Sequence, residues 1–133
     1  MLSDEQRQRY KRQLGLEGFG EDGQEKLLSS GVLVVGAGGL GSAVILYLAA
    51  AGVGRICIAD SDALELSNLN RQILHDTSRI GMLKAESARD RATLLNPDVT
   101  ILPMAQRLNP LNIMDIVARF DVVIDCTDNF HTR

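Results

Sequence analysis

A short β-branched run, Val32-Leu33-Val34-Val35, passes directly into Gly36-Ala37-Gly38-Gly39-Leu40-Gly41 and then into an apolar stretch from about Leu40 to Ala51. No other feature of the chain narrows its folding options so far. The run reads as a parallel strand buried on both faces. The glycines read as a turn, and the apolar stretch as a helix that stops at Gly52. Gly36, Gly38 and Gly41 satisfy the G-x-G-x-x-G spacing after a strand and before a helix. In that setting glycine lets the backbone approach a phosphate, which the free N–H groups and dipole of the helix start then hold. A second reading is that the glycines serve only tight strand–helix packing.

The rest of the chain repeats the alternation. Arg55 to Asp60 predicts a second strand, ending in an acid. Lys84 to Leu95 predicts a helix with Ala85, Ala88, Ala92 and Leu95 on one face, closed by Asn96-Pro97. Val99 to Leu102 is a third strand, Leu111 to Arg119 a short helix, and Val122 to Asp125 a fourth strand. The fold class expected is α/β, a Rossmann-like doubly wound parallel sheet with strand order 3-2-1-4. Upstream, residues 1–30 form a helical N-terminal arm. Ser3 caps a helix running to about Gln13, with Gln6 completing a capping box, and Asp22 to Leu28 forms a second. Residues 31–133 then form the nucleotide-binding domain. It stops just after the fourth strand, so the sheet is expected to be truncated or completed by another chain, with apolar surface uncovered.

Composition removes several function classes. At 133 residues, one core is expected. Fourteen basic against seventeen acidic side chains leave a net charge of −3, no electrostatic reason to expect nucleic acid or a membrane surface. The longest apolar run, Ala43 to Ala51, is nine residues, where a bilayer span takes about 20. Residues 1–7 have no apolar signal core, and Cys57 and Cys126 make no disulfide framework, so a cytoplasmic protein is expected. Both cysteines read as small core residues. His75 and His131 lack metal-ligand spacing and read as surface or loop residues, so neither zinc nor thiol chemistry is expected.

Asp60 lies nineteen residues after Gly41, placed to accept hydrogen bonds from ribose hydroxyls; a helix cap or solvated strand end is its plain alternative. Asp62 fits a structural turn equally well. To this point an NAD(P) oxidoreductase and an ATP user are not separable. Ser67-Asn68-Leu69-Asn70-Arg71-Gln72 and Lys84 separate them. A dinucleotide brings about two phosphate charges and a triphosphate about four, whose transfer calls for several cations and a carboxylate to hold metal. Arg71 and Lys84 fit the cations, and Asp128 beyond the fourth strand could hold Mg²⁺. Singly these are surface charges and a helix cap; together on one sheet edge they favour ATP.

Taken in order, Gly36 to Gly41, Asp60-Ser61-Asp62, Ser67 to Gln72, Lys84 and Asp125-Cys126-Thr127-Asp128-Asn129 resemble the HesA/MoeB/ThiF family, bacterial relatives of ubiquitin-activating enzymes. Arg9-Tyr10-Lys11-Arg12-Gln13 resembles that family's opening motif. The resemblance covers essentially the whole chain. It implies an adenylyltransferase that uses ATP and Mg²⁺ to adenylate the C-terminal glycine carboxylate of a ubiquitin-like sulfur-carrier protein ending in Gly-Gly, of the thiamine or molybdopterin biosynthesis type, releasing pyrophosphate. It implies that Gly36, Gly38, Gly39 and Gly41 line the nucleotide and that Asp60, with Asp62, holds the ribose. Ser67, Asn68, Leu69, Asn70, Arg71 and Gln72 wrap the phosphates, and Arg71 and Lys84 stabilise charge on the α-phosphate. Asp128 organises the metal, with Asn129 beside it, and Arg12 reaches the phosphates of a neighbouring subunit in a homodimer. Arg7 and Lys11 read as a solvated face; Arg9 stays open. Members are longer and carry paired Cys-x-x-Cys zinc motifs that this chain lacks. The chain is therefore expected to hold the ATP-binding half of the site and to be inactive alone. The competing readings are an NAD(P)-binding oxidoreductase domain and a non-catalytic nucleotide-binding or dimerisation module.

Overall fold

β1 (Gly31–Val35) is buried along its whole length, as a strand covered on both faces must be. In the computed structural model, which describes residues 1–128, it lies between β2 (Arg55–Ala59) and β4 (Val122–Asp125), and β3 (Thr100–Met104) pairs outside β2. All pairings are parallel, and the order β3-β2-β1-β4 is the expected one. The register sets Val35 beside both Ala59 and Asp125, and Ala59 beside Met104, so the four strands end together on one rim. No helix among the described residues is long and apolar enough to cross a membrane.

One face of the sheet is covered by α4 (Gly39–Ala51) and α5 (Lys84–Leu95). Ala85, Ala88 and Ala92 are fully buried there against Val34, Ile45, Ile56 and Ile58, small side chains that let α5 approach closely. Leu95, expected on the same face, is instead 36% exposed at the helix end. The other face packs Leu33, Val35 and Cys57 under Leu108 and Ile116 of α6 (Ile113–Val117), a helix shorter than expected. Val122 and Val123 on β4, an edge strand, are 51% and 40% exposed. The third strand runs slightly later than expected and includes Pro103; an edge strand tolerates a residue that cannot donate to the ladder.

The helix expected from Ser3 to Gln13 is broken at Tyr10 into α1 (Asp4–Arg9) and α2 (Lys11–Leu14), while α3 spans Gly20–Leu28. Tyr10 is 1% exposed. Its hydroxyl donates to Asp98 at 3.1 Å and accepts from Asn96 Nδ2 at 2.9 Å, and Asn96 also donates to the Ala49 carbonyl at 2.8 Å. Gln13 and Gln24 both donate to the Ala51 carbonyl, at 2.7 and 3.0 Å. Arg9 donates to the carbonyl of Leu95 at 3.2 Å, closing the C-terminus of α5 where a cation suits the helix dipole. The opening motif therefore ties α1–α3 to the C-terminal ends of α4 and α5, and Arg9 takes part in that tie.

Candidate functional site

The four strand ends open onto a cleft of about 470 Å³. Gly36, Gly38 and Gly39 reach it from the glycine loop, Asp60 and Asp62 from the end of β2, and Thr127 and Asp128 from the end of β4. Arg71, Gln72 and Lys84 complete the wall. The glycines divide by role. Gly36 has a φ of +103°, and a Cβ there would sit 2.8 Å from the Cys126 carbonyl oxygen. Gly41 is buried and does not line the cleft; a Cβ on it would fall 1.9 Å from the Gly36 oxygen. Close packing therefore accounts for Gly36 and Gly41, while Gly38 and Gly39 have room on the cleft side.

Asp60 is more than a solvated strand end. Its carboxylate accepts from Ala37 N–H at 2.8 Å and from Asp62 N–H at 2.8 Å, so it braces the glycine loop and the turn after β2 together. Each oxygen keeps a further lone pair for a hydroxyl in the cleft.

The segment 67–72 splits likewise. Leu66–Asn68 forms a 3₁₀ turn, locked by Glu65 N–H donating to Asn68 Oδ1 at 2.9 Å. Ser67, Asn68, Leu69 and Asn70 do not line the cleft; they make the platform for Arg71 and Gln72. Arg71 Nη1 donates to the Ser67 carbonyl at 3.2 Å and to Asn70 Oδ1 at 3.0 Å, while its methylenes lie over Gly39. Gln72 is 4% exposed, and its Oε1 is a buried oxygen with no hydrogen-bond partner among the described residues. Such an orphan costs about 1–3 kcal/mol unless a ligand or water satisfies it.

Lys84 opens α5 and is 7% exposed; its N–H donates to the Asp62 carbonyl at 2.9 Å. Among the described residues neither Lys84 nor Arg71 takes part in an ion pair. A buried cation without a carboxylate is costly and is suited to an incoming anion. The N-termini of α4 and α5 meet the same cleft, and neither carries a side-chain cap. Two helix dipoles and two cations thus converge on one rim.

Asp128 lines this cleft and is exposed. The described residues contain no group of three or more His, Cys, Asp or Glu able to hold a metal. Arg12 is exposed on α2, which packs at the far end of α4 through Gln13 and Ala51. That helix is about 20 Å long, so the structure does not bring Arg12 to the cleft of its own chain. Asn129 and His131 lie outside the described residues.

His75 lies in a loop, one of the two settings expected for it. It is 6% exposed, not on the surface, with Nδ1 2.7 Å from Ser87 Oγ and Nε2 2.9 Å from the Ala37 carbonyl. Burial holds the imidazole below its ordinary value of 6.5; the Lys84 and Arg79 charges push the same way, while the Ala37 bond and Asp60 oppose them. A depressed histidine contributes stability that is present above pH 6.5 and lost as pH falls through its folded value. The fall in Tm between pH 7 and pH 5.5 is accordingly expected to be smaller in His75→Gln than in the parent chain, and an equal fall in both would contradict this. Cys57 and Cys126 are buried as expected, and burial pushes both thiols up.

Gln106, Arg107 and Leu108, after β3, also line the cleft, and sequence reasoning missed them. They carry no motif. Their place beyond the carboxyl end of a parallel strand was the available signal.

The sequence pattern of the ThiF family matches residues 10–133. The chain is 53% identical over 133 residues to the adenylyltransferase and sulfurtransferase UBA4 of Saccharomyces cerevisiae, covering 99% of this chain and 30% of that protein. It is 49% identical over 132 residues to the sulfur carrier protein ThiS adenylyltransferase of Escherichia coli, covering 99% of this chain and 53% of that one. The E. coli tRNA N6-threonylcarbamoyladenosine dehydratase TcdA, solved in complex with ATP, superposes with a TM-score of 0.91 at 30% identity, covering 99% of this chain and 54% of that one. The chain thus spans about half the length of these E. coli relatives.

Proposed function

This chain belongs to the ThiF family, and from that premise we propose that it is the nucleotide-holding part of an ATP-dependent adenylyltransferase acting on the C-terminal glycine carboxylate of a ubiquitin-like sulfur carrier. The observation that carries the reading is the rim itself. Lys84 and Arg71, unpaired with any carboxylate among the described residues, stand beside two uncapped helix N-termini. Such a rim suits a polyanion richer in charge than a dinucleotide, which disfavours the oxidoreductase alternative.

The chemistry needs no general base, because a carboxylate is already a nucleophile at neutral pH. One carboxylate oxygen attacks the α-phosphorus, the bond from that phosphorus to the pyrophosphate oxygen breaks, and an acyl-adenylate and pyrophosphate result. Repulsion between the carboxylate and the triphosphate is what the site must offset. Lys84 and Arg71 do so by charge, and the N–H groups of Gly38 and Gly39 by hydrogen bonds. Asp60 and Asp62 take the ribose side of the cleft. Mg²⁺ needs only one or two carboxylates, completing its shell with phosphate oxygens and water. Asp128 at the rim fits that demand, and the ion when bound would neutralise phosphate charge. Arg12, exposed and remote from its own cleft, is assigned to the cleft of a second copy in a homodimer.

Calorimetric titration in Mg²⁺ buffer tests the nucleotide. ATP is expected to bind about tenfold or more tightly than NAD⁺. Tighter NAD⁺ binding would overturn the reading. ATP binding with no pyrophosphate exchange in the full-length protein, supplied with a carrier ending in Gly-Gly, would leave a non-catalytic nucleotide-binding module instead.

A further inference from the structure

A trans peptide points its C=O and N–H in opposite directions, so anchoring one aims the other. Two consecutive peptide units of the glycine loop are anchored by their carbonyls. The Ala37 oxygen lies 2.9 Å from His75 Nε2, inside the core. The Gly38 oxygen accepts from Ser42 N–H at 2.9 Å and from Ser42 Oγ–H. On the loop's other flank the Ala37 N–H is already committed to Asp60 at 2.8 Å. The Gly38 and Gly39 N–H groups have no partner among the described residues, and both glycines line the cleft.

We infer that His75 is a positioning residue for nucleotide binding: by donating from Nε2 to the Ala37 carbonyl it turns the Gly38 N–H outward, toward the phosphates. The inference rests on the reading of the cleft as an ATP site. A carbonyl can only accept, so the ring proton sits on Nε2 and Nδ1 is left as an acceptor. Ser87 Oγ, fully buried and 2.7 Å away, supplies the hydroxyl donor that fixes this tautomer. The ring therefore joins three pieces of the site: the segment that carries Arg71 and Gln72, the glycine loop, and α5 three residues beyond Lys84.

Three measurements separate positioning from packing. Glutamine places its amide nitrogen where Nε2 stands, and asparagine places its own where Nδ1 stands. His75→Gln is expected to bind ATP within about threefold of the parent, and His75→Asn about tenfold or more weakly, the loss of one oriented hydrogen bond. Both are expected to lower Tm by similar amounts. Equal ATP affinity in His75→Asn, or equal losses in both variants, would overturn the inference. Ser87→Ala guards against variants that do not fold, since alanine suits a helix; it is expected to weaken ATP at least about threefold, and unchanged affinity counts against the proposal. Imidazole ¹⁵N shifts of the parent chain should show the proton on Nε2, and a proton on Nδ1 would refute the geometry without any substitution. Failure of the parent to bind ATP would instead sink the adenylation reading, a result distinct from a parent that binds and an asparagine variant that binds as well.

Discussion

Replacing Lys84 with methionine is expected to cut ATP–pyrophosphate exchange in the full-length protein by about a hundredfold or more, the usual consequence of losing one preorganised contact to developing charge. Methionine keeps the length and most of the volume of the lysine stem while removing its ammonium. Lys84 is 7% exposed, and no carboxylate pairs with it among the described residues, so removing its ammonium breaks no ion pair of the fold. Removing that charge is therefore expected to leave Tm unchanged. The combination matters, because a structural lysine would show the reverse pattern. Arg71→Ala should lose activity too, though less steeply. Arg71 is exposed, and its guanidinium is already shared with the Ser67 carbonyl and Asn70. Near-normal exchange by Lys84→Met would remove the cationic rim from the mechanism.

The sheet was legible because its signals are local. Val32 to Val35, Ile56 to Ala59 and Val122 to Ile124 are continuous apolar runs bounded by turn residues, and strand–helix alternation then leaves few topologies open. Lys84 and Arg71 were legible for a related reason: each stands at the carboxyl edge of that sheet, where ligands bind. The residues that escaped are polar side chains whose partners are remote in sequence. Arg9 meets the Leu95 carbonyl across 86 positions, Tyr10 meets Asp98 across 88, and His75 meets Ala37 across 38. No periodicity announces a buried histidine, because one polar residue in a loop looks the same whether it is solvated or satisfied inside. The break at Tyr10 escaped for the same reason. The intrinsic preference of residues 4–14 is helical throughout, and only the tertiary bonds of Tyr10 interrupt it.

The glycines yield the sharpest contrast. Gly41→Ala is expected to be the most damaging of the small substitutions at the loop. Its Cβ would lie 1.9 Å from the Gly36 oxygen and 2.8 Å from the Gly36 carbonyl carbon, both backbone atoms that cannot swing aside. Relief requires α4 to move off the end of β1, and with it the N-terminus that faces the cleft. Overpacking of this kind typically costs about 1–3 kcal/mol and occasionally more, and the rigidity of a backbone neighbour places Gly41 at the upper end. A clear fall in Tm should accompany a loss of ATP affinity of about tenfold or more. Gly39→Ala should behave differently. Its Cβ would meet only the Arg71 side chain, at 3.6 Å, an ordinary contact, and alanine is the better helix former. Stability should hold or rise while ATP binding weakens, because the methyl group occupies the space through which a phosphate reaches the backbone. If Gly39→Ala bound ATP as tightly as the parent, close backbone approach at that position would not be how this loop holds its ligand. The packing role of Gly41 would be untouched by that result, since its clash is with the loop itself.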